Sequence, residues 1–373
     1  MKSMKKMVLV GLILLASVMV LLPLIGCKSE VDPEVKEPPY LTFKADSEQT
    51  LTMKIVNGYS LHKSLQYSVG GGEWKQLQAE TALSFGGAAG DLRMRGKSIG
   101  GTSNFSVAAF TYISFGNSEV KVACTGDIRT LVDYESYSTA DTSVAIFVGL
   151  FSGCTSLTSA PDLPAESLAP YCYYEMFFGC TSLTSAPALP AESLAPYCYY
   201  YMFKGCTSLT SAPALPAETL AEGCYYYMFN GCTSLTSAPA LPAETLAEGC
   251  YYYMFKGCTS LTSAPALPAE TLAEDCYSGM FEGCTSLTSA PALPAETLAE
   301  RCYDEMFRGC TSLTSVTMLA TDISAYNCLQ GWLDSVSETG TFTKAAAMDE
   351  SKFSRGHSGI PSGWTVQNYG PQQ

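Results

Sequence analysis

The chain is short of basic residues, histidine and tryptophan. Against 35 acidic residues it carries 21 lysines and arginines, a formal net charge of −14. A surface that acidic repels phosphate backbones, which argues against nucleic acid as a partner. The two histidines, His62 and His357, lie in different segments and read as ordinary surface residues. Metal sites need clustered His, Cys or carboxylate ligands, and His-based catalysis needs a positioned imidazole. No metal, cofactor or catalytic residue is therefore expected.

The N-terminus is the exception to the shortage of positive charge. Lys2, Lys5 and Lys6 precede an apolar run from Val8 to Leu22, which ends in Leu24-Ile25-Gly26-Cys27. A basic start, an apolar stretch and a small residue before a cut describe a secretory signal peptide over residues 1–26. Leu-Ile-Gly-Cys resembles the bacterial lipobox, in which the cysteine carries lipid. That resemblance implies lipidation at Cys27, with the lipid anchor as the chain's contact with a membrane. Losing the three leader lysines takes the formal charge from −14 to −17. Residues 27–39, rich in Glu, Asp and Pro, cannot bury a core and read as a flexible tether.

An internal repeat dominates the remainder. Gly-Cys-Thr-Ser-Leu-Thr-Ser begins at Gly153, Gly179, Gly205, Gly231, Gly257, Gly283 and Gly309, always 26 residues apart. A unit so short cannot bury an apolar face alone, so successive units must stack. The expectation is a solenoid of 26-residue coils over residues 149–334. Within one unit, Pro213 and Pro216 exclude a continuous helix and bracket a short extended piece beginning near Leu209. Cys224 to Cys232 reads as a short helical segment. At 100° per residue, Tyr225, Met228, Phe229 and Cys232 share one face with Cys224, while Tyr226, Tyr227 and Asn230 point away. The inward positions are identical in six units and the outward ones vary, to Ser278, Gly279, Asp304, Glu305 and Lys204 among others.

Met-Phe-x-Gly-Cys-Thr-Ser-Leu-Thr followed by a proline-bounded apolar stretch resembles the BspA-like leucine-rich repeat of bacterial surface proteins. Tyr67 to Trp74 resembles the glycine-turn hairpin that precedes such repeats in Bacteroides-type lipoproteins, and Ile360 to Val366 resembles their closing segment. The resemblance implies an outer-membrane, surface-exposed binding or adhesion protein. Residues 40–148 alternate apolar and polar positions, with Leu41–Phe43, Leu51–Ile55, Phe105–Val107 and Val120–Val122 as strands of an all-β, sandwich-like domain. Residues 335–373 would cap the open end of the stack. The fold class expected is α+β.

Two cysteine rows, Cys154 to Cys310 and Cys172 to Cys328, recur at the repeat period and project inward. Buried free thiols fit better than disulfides, and an endless row offers no tetrahedral zinc site. The candidate partner-binding surface is an aromatic ridge of Tyr174, Tyr200, Tyr201, Tyr226, Tyr227, Tyr252 and Tyr253. Tyrosine gives stiff contact area with a polar tip, suited to a host or bacterial surface protein or a glycan. The alternative is a structural scaffold or spacer in the envelope. A Thr/Ser face (Thr207, Ser208, Thr210, Ser211) reads as a hydroxyl ladder along the coil edges. Glu166 and its counterparts to Glu296 recur identically, without the unlike environments that a carboxylate pair needs for catalysis.

Overall fold

Strand-forming alternation appears first, in β1 (Leu41–Lys44), β2 (Gln49–Ile55), β3 (Gln66–Val69), β4 (Lys75–Gln76), β5 (Ala82–Phe85), β6 (Leu92–Arg95), β7 (Thr111–Phe115) and β8 (Val122–Thr125). The computed structural model describes residues 37–104, 107–349 and 359–370. The signal peptide, Cys27, most of the tether and the first two residues of the expected Phe105–Val107 strand lie outside them, and Val107 itself lies in a turn. β1 and β2 fall where the alternation places them. The strand expected at Val120 begins only at Val122. The strands form two sheets, one ordered β4-β3-β6-β1-β8 and extended at its β8 edge by β9 (Leu157–Ser159), and one ordered β5-β2-β7. Inward residues of each meet, as where Phe43 of β1 packs edge-on against Phe115 of β7 at 6.0 Å. The glycine-turn hairpin is present, with Gln66 opposite Gln76 in antiparallel register. Gly70 turns it at φ 58°, where a Cβ would lie 2.6 Å from the Ala89 carbonyl oxygen.

β9 (Leu157–Ser159) belongs to the first repeat yet pairs in parallel with β8. The buried core continues from Leu41 to Trp364, and residues 38–373 make one compact unit. The change in sequence character near residue 148 therefore marks no break in packing.

The repeats lie one on the next, but the helical half of each is absent. Among the described residues no α-helix occurs, only three short 3-10 turns, and the fold is β-rich and turn-built rather than α+β. The reason is a backbone that enters the left-handed region every fourth residue. Tyr197, Tyr201 and Gly205 have φ of 56°, 56° and 75°, and Gly223, Tyr227 and Gly231 repeat the pattern at 55°, 54° and 72°. A right-handed helix cannot pass through such positions. Backbone N–H groups divide their partners accordingly. Those of Tyr199, Tyr201 and Phe203 donate across to the next coil, to the carbonyls of Cys224, Tyr226 and Met228 at 2.9–3.1 Å. Those of Tyr200, Met202 and Lys204 close local turns onto residues three earlier. Every buried backbone donor in the segment is thus satisfied without a helix.

The inward face is as the sequence indicates. Met228, Phe229, Cys224 and Cys232 are fully buried and Tyr225 nearly so. Phe151 to Phe307 form a column of parallel rings with centroids 5.3–5.7 Å apart. Tyr173 to Tyr303 form a second at 5.6–6.1 Å. These are offset-stack separations, each worth about 0.5–1.5 kcal/mol beyond the area buried. All fifteen described cysteines are buried free thiols. The Cys180, Cys206, Cys232, Cys258, Cys284 and Cys310 thiols each donate to the carbonyl of a phenylalanine 29 residues earlier, at 3.0–3.2 Å.

The extended half of each coil is weaker than a sheet. Successive coils meet there through single bridges, Ser193 to Thr219, Thr219 to Thr245 and Thr245 to Thr271. Proline removes ladder donors on either side. The hydroxyl ladder fills part of the deficit, with Thr210 Oγ1 donating to the Thr184 carbonyl and Thr262 Oγ1 to that of Thr236, both at 3.4 Å. Towards the C-terminus a parallel sheet forms from β10 (Ser289–Leu293), which still holds Pro291 and shifts register there, and the proline-free β11 (Ser315–Met318), β12 (Gly340–Lys344) and β13 (Trp364–Asn368). Phe342 and Trp364 of the last two strands are buried over the end of the core.

Candidate functional site

The seven ridge tyrosines come together. Tyr174, Tyr200, Tyr226 and Tyr252 stack with centroids 4.8, 4.7 and 4.3 Å apart. Tyr201, Tyr227 and Tyr253 form a flanking column at 5.1 and 4.9 Å. The columns meet edge-on, Tyr200 against Tyr201 at 4.3 Å and Tyr252 against Tyr253 at 4.5 Å. The ridge is less prominent than an outward helical face would make it. Six of the rings are half-buried and Tyr253 is 9% exposed, because four-residue turns lay the rings flat against each other. Burial raises the phenols of Tyr174, Tyr200, Tyr226, Tyr227 and Tyr253 well above their usual range, so the hydroxyls stay protonated donors.

The flanking tyrosines occupy backbone that disfavours them. Tyr201, Tyr227 and Tyr253 have φ of 56°, 54° and 50°, and the same position two coils after Tyr227 is Gly279 at 57°. A non-glycine residue there costs roughly 1–2 kcal/mol. Cations cover these rings, with Lys204 Nζ 4.2 Å from the Tyr201 centroid and Lys256 Nζ 4.5 Å from that of Tyr253. At the far end Tyr253 Oη donates to Glu305 at 2.6 Å, two coils away.

Beside the ridge runs a column that sequence reading left out: Tyr171, Tyr197, Gly223, Gly249, Asp275 and Arg301. Tyr171 and Tyr197 stack at 5.2 Å and pack on Tyr174 and Tyr200 at 6.1 and 6.0 Å. Where glycine replaces them, a cleft of roughly 210 Å³ opens, walled by Tyr197, Tyr226 and Tyr252 and rimmed by Glu222, Glu248 and Asp275. Tyr197 Oη donates to Glu222, and that bond first, then burial, holds the Tyr197 phenol up at about 12. A larger depression of roughly 580 Å³ lies on the proline side between Glu270 and Leu319. It has no aromatic wall, and the tyrosine face offers the more discriminating surface.

A family model described as the BspA type leucine-rich repeat region matches residues 133–239 and 225–345, more than half of the chain, as six copies. The chain belongs to the BspA-type leucine-rich repeat family. No curated protein and no solved structure matches it. The family is one of repeats and binding rather than of enzymes, and leucine-rich repeats in general serve protein–protein or surface interaction.

Proposed function

We propose that this BspA-type protein is a lipid-anchored outer-membrane surface protein, held through Cys27. Its stacked repeats form a solenoid whose tyrosine face binds a host or bacterial surface protein or a glycan. The N-terminal sheets and the C-terminal strands close the two ends of the stack. The observation that carries the binding reading is the contiguous block of tyrosines. It includes three, Tyr201, Tyr227 and Tyr253, held in left-handed backbone that glycine would fill at lower cost, as Gly279 does at the same position. Equal spacing of the rings lets weak contacts add by multivalency.

The test is capture on arrays of extracellular-matrix proteins and glycans, comparing the parent chain with a Tyr200→Ser/Tyr226→Ser/Tyr252→Ser variant. Capture should be lost while the melting transition persists. Because these rings are half-buried, a Tyr→Phe triple variant that keeps the stacks and removes the hydroxyls accompanies it, and should weaken capture. Undiminished capture by both variants would leave the scaffold or spacer role in its place.

A further inference from the structure

We infer that the cleft over Gly249 is a receptor for a guanidinium group, the arginine side chain of a partner protein. The inference rests on the tyrosine face being the binding face. The molecule contains its own template two coils further on. There the column carries Arg301, whose Nε and Nη2 donate to Asp275 at 3.0 and 2.9 Å. Its Nη2 also reaches Glu274, and its Nη1 donates to Glu300 at 2.7 Å. Glu274 and Glu300 precede Asp275 and Arg301 directly, one in each coil. Counting back 52 residues, the corresponding pair is Glu222 and Glu248, and the position of Arg301 is Gly249.

The two flanking glutamates of the clamp are therefore repeated where the resident arginine is missing, with Gly223 in the place of Asp275. Both glutamates are exposed, and no lysine or arginine lines the cleft. An arriving guanidinium would find the Tyr226 and Tyr252 rings as a wall and carboxylates on either side. Planar stacking and forked donation suit arginine better than lysine. The charge of the chain favours approach of a cation.

Gly249 can be filled. A Cβ built there meets the Tyr226 ring at 3.7 Å, ordinary contact, whereas at Gly223 it would strike the Tyr197 ring at 2.5 Å. Arg301 already tolerates φ of 48° at the equivalent position. Gly249→Arg should therefore place a resident guanidinium in the clamp and close it.

The experiment titrates the full chain with a fluorescent tetra-arginine peptide at low salt, with tetra-lysine and tetra-citrulline peptides alongside. Saturable binding is expected to favour arginine, to fall at least tenfold in Gly249→Arg and in Glu248→Gln, and to persist in Glu244→Gln. That last variant makes the same charge change at an exposed position in the extended half of the coil. Equal losses in Glu244→Gln and Glu248→Gln, or binding untouched by Gly249→Arg in a variant that melts like the parent, would overturn the inference. So would equal binding of the neutral citrulline peptide. Failure here with Tyr-dependent capture intact on the arrays would remove the cleft and leave the ridge. Arginine binding without Tyr-dependent capture would do the reverse.

Discussion

Replacing Tyr227 by alanine and by glycine separates a helical coil from one built on left-handed turns. Both variants lose the same ring, which stacks on Tyr253 at 4.9 Å and Tyr201 at 5.1 Å, so that loss cancels between them. What remains is the backbone at φ 54°. Alanine there costs roughly 1–2 kcal/mol relative to a right-handed conformation, and glycine nothing. Against this, glycine loses about 0.5–1 kcal/mol more conformational entropy on folding. The balance favours Tyr227→Gly over Tyr227→Ala by about 0.5–1 kcal/mol. In the interior of a helix the order reverses, with alanine ahead by about 1 kcal/mol. Urea denaturation at a common m-value reads the difference as a midpoint shift. An alanine variant more stable than the glycine variant would refute the left-handed assignment, and with it the strain invoked for the tyrosines.

Phe229→Ala removes a fully buried ring stacked at 5.6 Å on both Phe203 and Phe255, and should cost about 3–5 kcal/mol in chemical denaturation; a loss below about 1 kcal/mol would contradict the column. The thiols should be inert to an aromatic disulfide reagent at pH 8 in the folded protein, since burial raises Cys206, Cys224 and Cys276 to about 12, and all should react once denatured without reductant. A shortfall under denaturing conditions would mean disulfides. Asp304 is raised to about 6, by burial first and then by Glu305 and Asp275, and its Oδ1 is buried without a hydrogen bond. Its folded pKa lies above the unfolded one, so the stability it contributes is full below about pH 4 and lost as the pH rises through 6. Asp304→Asn should flatten that window and stabilise the protein at pH 7 by about 1 kcal/mol after solvent screening; unchanged pH-dependent melting would count against it.

The inward face of each coil was legible although its conformation was not. A helix advances about 100° per residue, whereas turns recurring every four residues advance about 90°. Over the eight steps from Cys224 to Cys232 the two patterns drift apart by only about 80°, so Cys, Tyr, Met, Phe and Cys fall inward under either. The distinguishing signal was present in the glycines. Gly223 and Gly231 are eight residues apart, Gly279 and Gly283 four, and all have positive φ. Read as surface variation, Gly279 looks like a tolerated substitution of Tyr253. Read as a conformational requirement, it exposes the left-handed backbone. β1 and β2 were legible because their alternation has one interpretation, whereas β5, β6 and β7 were not singled out. The proline-side strands were not legible, because Pro213 and Pro216 lack the donors that pairing needs, and unbroken ladders form only among the proline-free β11, β12 and β13.

The cleft could not be read from any single unit, because it consists of what two units omit. Gly223 and Gly249 carry no chemistry themselves. They matter because Tyr171 and Tyr197 show what fills the column elsewhere, and Arg301 shows what the flanking glutamates hold when an arginine is present. That comparison needs the coils in register, with Glu222 over Glu248 as Glu274 lies over Glu300. Exchanging the two situations gives a reciprocal expectation. Arg301→Gly should free the Glu274/Glu300 clamp, with Asp275 still in place, and create a second guanidinium site. Asp275 supplies a bidentate contact that Gly223 cannot, so the new site should bind the tetra-arginine peptide more tightly than the cleft at Gly249. Two classes of site in the titration, the stronger one removed by adding Asp275→Asn, would establish that register and carboxylate pairing set the affinity. A single class unchanged from the parent would show that the glutamates act only as diffuse charge.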